Sequence, residues 1–169
     1  LWYDEILTLQ THVSLGWDSM LTSYSMNHHY LHNIAVKLCM GVLGGSPWAV
    51  RLPALVFGLL GIAAVWRLAH DAAGSLTAHA TALLLALSYH HIWFSTNARG
   101  YTGLALFSTL GLIWFLRGLK SGEARDWLLF AAALAATVFT HLTGVFFYAT
   151  LGLVWLALVA AGAAKGRLR

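Results

Sequence analysis

Residues 127–164 contain no Asp, Glu, Lys or Arg. A bilayer's hydrocarbon core is about 30 Å thick, and one helix crosses it in roughly 20 apolar residues. The run is nearly twice that length, so it must fold back on itself. The polar cluster Thr140, His141, Leu142, Thr143 and Gly144 marks the turn, which predicts a helical hairpin with His141 at its tip. Reading upstream in the same way gives about five spans, roughly at 53–69, 76–94, 102–116, 127–141 and 145–163, joined by short loops. The fold expected is all-α, a polytopic transmembrane helical bundle.

The first third of the chain has a different pattern. Leu31, Ile34, Ala35, Leu38 and Val42 recur at helical spacing, with Asn33 and Lys37 on the opposite face. This predicts an amphipathic helix in the membrane interface, its apolar stripe against lipid or against the bundle. An earlier helix is expected from Asp4 or Glu5, with Ile6, Leu9 and Val13 facing inward and the carboxylates favoured by the helix dipole. Ser46-Pro47 reads as a helix start, and Leu52-Pro53 as a second boundary where the first span begins. Residues 1–50 thus form a loop with juxtamembrane amphipathic helices, and residues 51–169 form the bundle.

Composition agrees with a membrane protein: 59% of residues are hydrophobic, only 9% are charged, and the mean hydropathy is +0.71. Eight Trp and six Tyr suit a belt at headgroup level. The lone Cys39 excludes an internal disulfide. A net charge of +4 might suggest nucleic acid, but the cations collect in loops between apolar runs, as topology signals do. Arg67, Arg117, Lys120, Arg125, Lys165, Arg167 and Arg169 fall on one face, and only Lys37, Arg51 and Arg99 on the other. The positive-inside rule makes the first face cytoplasmic. Residues 1–50, the loop 95–101 and the hairpin tip are then extracytoplasmic. Since the chain begins at Leu1 with no signal-peptide core before this outer segment, it is expected to be a fragment of a longer protein, with at least one helix upstream and more downstream.

The polar residues of the outer face are the candidate chemistry. Asp4-Glu5 is the only adjacent acidic pair; it reads either as helix-start carboxylates or as a general base at a site roofing the bundle. His28 and His32 stand i,i+4, with His29 between them, and a divalent metal would need further ligands from Asp4, Glu5, His90, His91 or His141. Without such ligands these are interfacial histidines, and no metal or other cofactor is assigned. Arg99 is one of two arginines on the sparsely charged face. It either grips a phosphate bidentately or snorkels to headgroups. His141, at depth between two apolar helices, is a functional candidate or a helix cap. A haem- or quinone-binding subunit using His90 or His91 with His141, and a transporter, are the alternatives from other classes. The transporter is poorly furnished, because His79 is the lone ionisable group in the inner half of a span.

Taken in order, Asp4-Glu5, Asn27-His28-His29-Tyr30-Leu31, Arg51-Leu52-Pro53, Ala98-Arg99-Gly100-Tyr101 and Thr140-His141 resemble the GT-C membrane glycosyltransferases. The branch is that of the protein mannosyltransferases and aminoarabinose transferases (family 39 and its bacterial relatives). The resemblance runs over nearly the whole chain. It implies an inverting transfer of a sugar from a polyprenyl-phosphate-linked donor to a lipid, glycan or protein acceptor, on the extracytoplasmic face of a bacterial or archaeal plasma membrane. It also implies that Asp4 activates the acceptor with Glu5 as its neighbour, and that the outer ends of the later spans hold the donor. His28, His29, Arg99, Tyr101 and His141 are the expected donor- and substrate-binding residues. The chain departs from the pattern at Asn97, where relatives often carry an acid before Ala-Arg, and at His28-His29, where they often carry His-Pro. Either departure would alter donor or acceptor preference, or mark a non-catalytic relative.

Overall fold

The computed structural model describes residues 1–23, 25 and 28–162. Asn27, Lys165, Arg167 and Arg169, used in the readings above, lie outside the described residues. Among those described, helix is the only regular structure. The elements are α1 (Tyr3–Thr8), a π turn (Leu9–Val13), α2 (Trp17–Thr22), α3 (Tyr30–Leu43), α4 (Pro47–Ala86), α5 (Tyr89–Ser95), α6 (Tyr101–Ser121), α7 (Ala124–Thr140) and α8 (Gly144–Ala160).

α4 and α6 are long and apolar enough to cross a membrane. α4 is not one straight rod. Gly74 has φ 83° and ψ −179°, a conformation open essentially to glycine alone. Beyond it the chain doubles back, so that the His79 ring lies 5.7 Å from that of Trp66. A straight helix would hold residues thirteen apart about 20 Å from each other. Further along the return arm, His91 and Ser95 lie against Gly58. The short loop expected between the spans 53–69 and 76–94 is therefore a turn at a single glycine, with helix on both sides of it.

The helix starts at Ser46-Pro47 as expected, but the second boundary expected at Leu52-Pro53 is absent. Pro47 occupies its first turn, and Pro53, expected to open the span, is buried inside it. Proline fits at the first helical position because the N–H there has no partner in any case. At Pro53 the helix forgoes one backbone bond and continues.

α6 and α7 form a hairpin closed by Gly122 in the left-handed conformation, and the turn at 141–143 leads into α8. Phe115, Tyr148 and Leu151 are the buried centre of these three helices. Close approach is achieved with small residues, as is general between membrane helices. A Cβ at Gly103 would meet Thr140 at 2.6 Å, and one at Gly118 would meet Trp127 at 2.9 Å. Tyr148 hydrogen-bonds with Thr137 (3.2 Å) and donates to the Phe107 carbonyl (3.3 Å), linking all three helices.

The expected inward face of the first segment holds at Val13, which is buried, and at Leu9, which packs on the core, and fails at Ile6. Ile6 is exposed, and the buried positions are Glu5, Thr8, His12 and Val13. Glu5 takes the inward place because its carboxylate has partners there, and the π turn adds a residue to the following turn. α3 buries Val36 of the hydrophobic core together with part of its polar face. Its polar face, with His32 and Asn33 at 0% exposure, packs inward, while Leu38 and Val42 of its apolar stripe point outward. Lys37 donates to the carbonyls of Val13 (2.7 Å) and Leu15 (2.5 Å), holding α3 to the end of the π turn. Leu59, Leu83, Leu84, Leu128, Phe146 and Leu153 are likewise exposed. A molecule with polar groups inside and large apolar groups outside suits hydrocarbon as its solvent.

Candidate functional site

The site is organised by Glu5. Its side chain is sealed from solvent, and its two oxygens accept four hydrogen bonds. Arg51 donates through Nε to Oε1 (2.8 Å) and through Nη2 to Oε2 (2.7 Å). The Ala98 N–H donates to Oε1 (2.7 Å) and the Trp2 N–H to Oε2 (2.6 Å). The last of these caps α1 in the manner of a capping-box glutamate. Burial raises the Glu5 pKa, but the Arg51 bond and then the two backbone bonds outweigh it and hold the carboxyl below its ordinary range. One carboxylate thereby ties α1, the start of α4 and the loop 96–100 together. Asp4, its neighbour in sequence, points the other way and is exposed.

The Ala98 anchor positions Arg99, which is 6% exposed with its guanidinium carbon 5.8 Å from the Tyr101 ring centroid. Gly100 lets this loop close on its neighbours: a Cβ there would meet the Thr140 carbonyl at 2.6 Å and the His29 ring at 3.2 Å. His29 Nδ1 donates to the same Thr140 carbonyl at 3.1 Å, so in its neutral form Nε2 is left as a lone pair. The His29 ring stands 4.7 Å from that of His141 and 6.1 Å from that of Tyr101. Burial first, then the charges of Arg99 and His141, push the His29 pKa down to about 3. His141 is lowered by burial and then by Arg99.

His141 takes the helix-cap place expected of it. Its N–H bonds to the Thr137 carbonyl at the C-terminus of α7, its Nδ1 accepts from the Thr143 N–H and contacts the Thr143 hydroxyl, and its ring packs on His29 and Tyr101. Of the expected site residues, the fold thus brings Arg99, Tyr101, His29 and His141 into one cluster. Arg99 supplies its positive charge.

His28 stands apart, beneath the cluster. Its Nε2 donates to the Met20 carbonyl (3.0 Å) and its ring stacks on Tyr30 and touches His12. His32 is fully buried, its pKa lowered to about 4 chiefly by burial. No group of three or more His, Cys, Asp or Glu side chains converges on a point among the described residues. Neither His90 nor His91 approaches His141: His90 is exposed beside Tyr89, and His91 turns onto α4 at Gly58. A facing histidine pair of the kind a haem needs is not formed from them.

Sequence reasoning left Arg51, His12 and Asn33 without roles. Arg51 had a signal: the outer face carries only three cations, and a buried acid there must find one of them. Next to the cluster, a groove of about 520 Å³ opens between the start of α4 and the end of α5, lined by Trp48, Leu52 and Leu55 with Arg51 at its edge.

A helical bundle with apolar flanks and two helices long enough to cross a membrane suits a membrane protein, and it carries the cationic, histidine-lined cluster at one end. The sequence profile of the dolichyl-phosphate-mannose-protein mannosyltransferase family matches residues 27–168, and the chain belongs to this family of GT-C membrane glycosyltransferases. The match includes the Arg99 loop and His141, while Asp4 and Glu5 precede it. No curated protein and no solved structure matches the chain significantly.

Proposed function

We propose that the chain transfers a hexosyl group from a polyprenyl-phosphate-linked donor to a hydroxyl-bearing acceptor on the extracytoplasmic face, with inversion at the anomeric carbon. The observation that carries this reading is the Glu5 bridge. By bonding to Ala98 it puts the helix bearing exposed Asp4 at the same end of the bundle as buried Arg99.

Asp4 takes the proton of the acceptor hydroxyl, whose oxygen attacks the anomeric carbon as the bond to the phosphate oxygen breaks. A base so placed contributes about 10²–10⁴-fold. Arg99 meets the phosphate, where its contact strengthens as the leaving group gains charge. His29, neutral because it is buried beside Arg99, adds no second cation and offers an acceptor; Tyr101 orients the guanidinium. Glu5, fully engaged by four donors, positions rather than reacts. The apolar groove beside Arg51 suits the donor's polyprenyl tail. The arms of the α4 hairpin, completed by α5, together with α6, α7 and α8, make five crossings, with α1–α3 lying in the outer interface.

The test is binding of a polyprenyl-phosphate analogue to wild type, Arg99→Lys and Arg99→Ala. Both variants should bind at least tenfold more weakly, because an ammonium keeps the charge but loses the two-pronged grip. Equal affinity in all three proteins would reduce Arg99 to a headgroup anchor.

A further inference from the structure

At the opposite end of the bundle lies a second charged site. From Arg51 to Asp71 is twenty residues of α4, about 30 Å at 1.5 Å per residue, which is the thickness of the hydrocarbon core. There a cavity of about 240 Å³ opens between α4 and α6. Its floor includes Leu68, Ile113 and Leu116, and its rim carries Asp71, Arg117 and Lys120. Asp71 is occupied: Arg67 donates to it at 2.9 Å, and Arg117 lies 3.6 Å away. The Arg117 guanidinium also sits 4.8 Å from the Trp114 ring. Lys120 has no ion-pair partner among the described residues. Three cations thus surround one carboxylate, leaving a surplus of two positive charges over an apolar cavity. The nearest acids on the α6–α7 turn are Glu123 and Asp126, neither of which lines it; Asp126 accepts from the Ser121 hydroxyl.

We propose that this cavity binds the phosphate of an anionic phospholipid of the cytoplasmic leaflet, with Arg117 and Lys120 as its ligands and Leu68, Ile113 and Leu116 against the glycerol and upper acyl chain. Charge complementarity selects the occupant, since a zwitterionic headgroup brings a cation to a rim that already has a surplus of them. Basic recesses between transmembrane helices on the cytoplasmic side take anionic headgroups in this way. Asp71 keeps Arg67 out of the cavity and fixes the position of Arg117. The inference rests on the reading of α4 and α6 as spanning segments and is independent of glycosyl transfer.

Native mass spectrometry of the detergent-solubilised chain with added phosphatidylglycerol, phosphatidylcholine or inorganic phosphate tests the proposal. Phosphatidylglycerol should be retained in preference to phosphatidylcholine. The variant Arg117→Ala/Lys120→Ala should lose about fivefold in affinity for each cation removed, while Arg125→Ala, on the same face but outside the cavity, should bind as wild type does. Lys120→Gln, at an exposed position, gives the same reading with a single substitution if the double variant does not fold. Equal retention of the two lipids overturns the site, as does an equal loss in Arg125→Ala, which would reduce the attraction to general surface charge. Full displacement of the lipid by inorganic phosphate also overturns it, because the occupant would then be a free anion. Labelling of cysteines at Thr22 and Ser121 with an impermeant thiol reagent in intact cells fails separately if the spanning assignment itself is wrong.

Discussion

Glu5 holds four hydrogen bonds on two oxygens inside the protein, while Asp4, one residue earlier, faces solvent. That difference follows from helix phase, and the phase is set by Arg51 on another helix. The acidic pair and the scarce outer cations are legible in the sequence; which acid meets which cation is not, because a partner 46 residues away fixes the rotation of α1. Replacing Glu5 by Gln should cost roughly 3 kcal/mol, since it sets amide hydrogens against donors and leaves Arg51 without its counter-ion. The pH dependence has a definite sign. His29 and His32, at about 3 and about 4 in the folded chain, bind protons on unfolding once pH falls below about 6.5. Their contribution to stability is complete above that value and declines below it. The depressed Glu5 carboxyl adds a second loss as pH falls below the ordinary carboxylate range of about 4.3. Thermal melting between pH 7 and pH 4 should therefore show stability falling steadily as acid is added. A melting temperature that rose on acidification would contradict the burial of these neutral rings.

At the scale of elements, hydrophobic run length located the helices well, because a bilayer demands about 20 apolar residues per crossing and the polar breaks at 140–144 and near 74 are short. α7 and α8 end close to where the pattern placed them. What the pattern could not show was the sharpness of the first turn, which rests on the positive φ of Gly74, or the continuation of helix through Pro53. The amphipathic pattern of α3 was legible, whereas its orientation was not. The polar face turns inward where Lys37 reaches the carbonyls of Val13 and Leu15 and the Asn33 amide reaches His28 Nδ1. The Arg99 loop depends on the absence of a side chain at Gly100. A Cβ within 2.6 Å of the Thr140 carbonyl must push the loop away from α7, so Gly100→Ala should destabilise the fold by about 1–3 kcal/mol. It should also weaken donor binding, because His29, Thr140 and Arg99 no longer meet. Unfolding in detergent measures the first effect and analogue binding the second; a neutral substitution would mean that the loop is loosely seated.

For the whole molecule, charge asymmetry and exposed apolar surface point to one orientation. Arg67, Arg117, Lys120 and Arg125 gather at one end, and the Glu5–Arg51–Arg99 cluster at the other. With Cys39 replaced by serine, a cysteine at Thr22 should react with an impermeant thiol reagent in intact cells, and one at Ser121 should not; the reverse pattern would invert the topology. The family was legible from five short motifs in order. The role of each residue was not, because the cluster joins the loop before α3, the loop before α6 and the turn before α8, which only the packed fold brings together. Base-assisted glycosyl transfer at this end of the bundle is tested most directly by transfer from a radiolabelled polyprenyl-phosphate hexose by membranes bearing wild type or Asp4→Asn, with donor binding measured alongside. The substitution should lower transfer by about 10²–10⁴-fold while donor affinity stays within a few-fold, since a base acts on the acceptor and need not hold the donor. Transfer by the variant within a few-fold of wild type would contradict base assistance and leave Asp4 as a carboxylate that merely starts a helix.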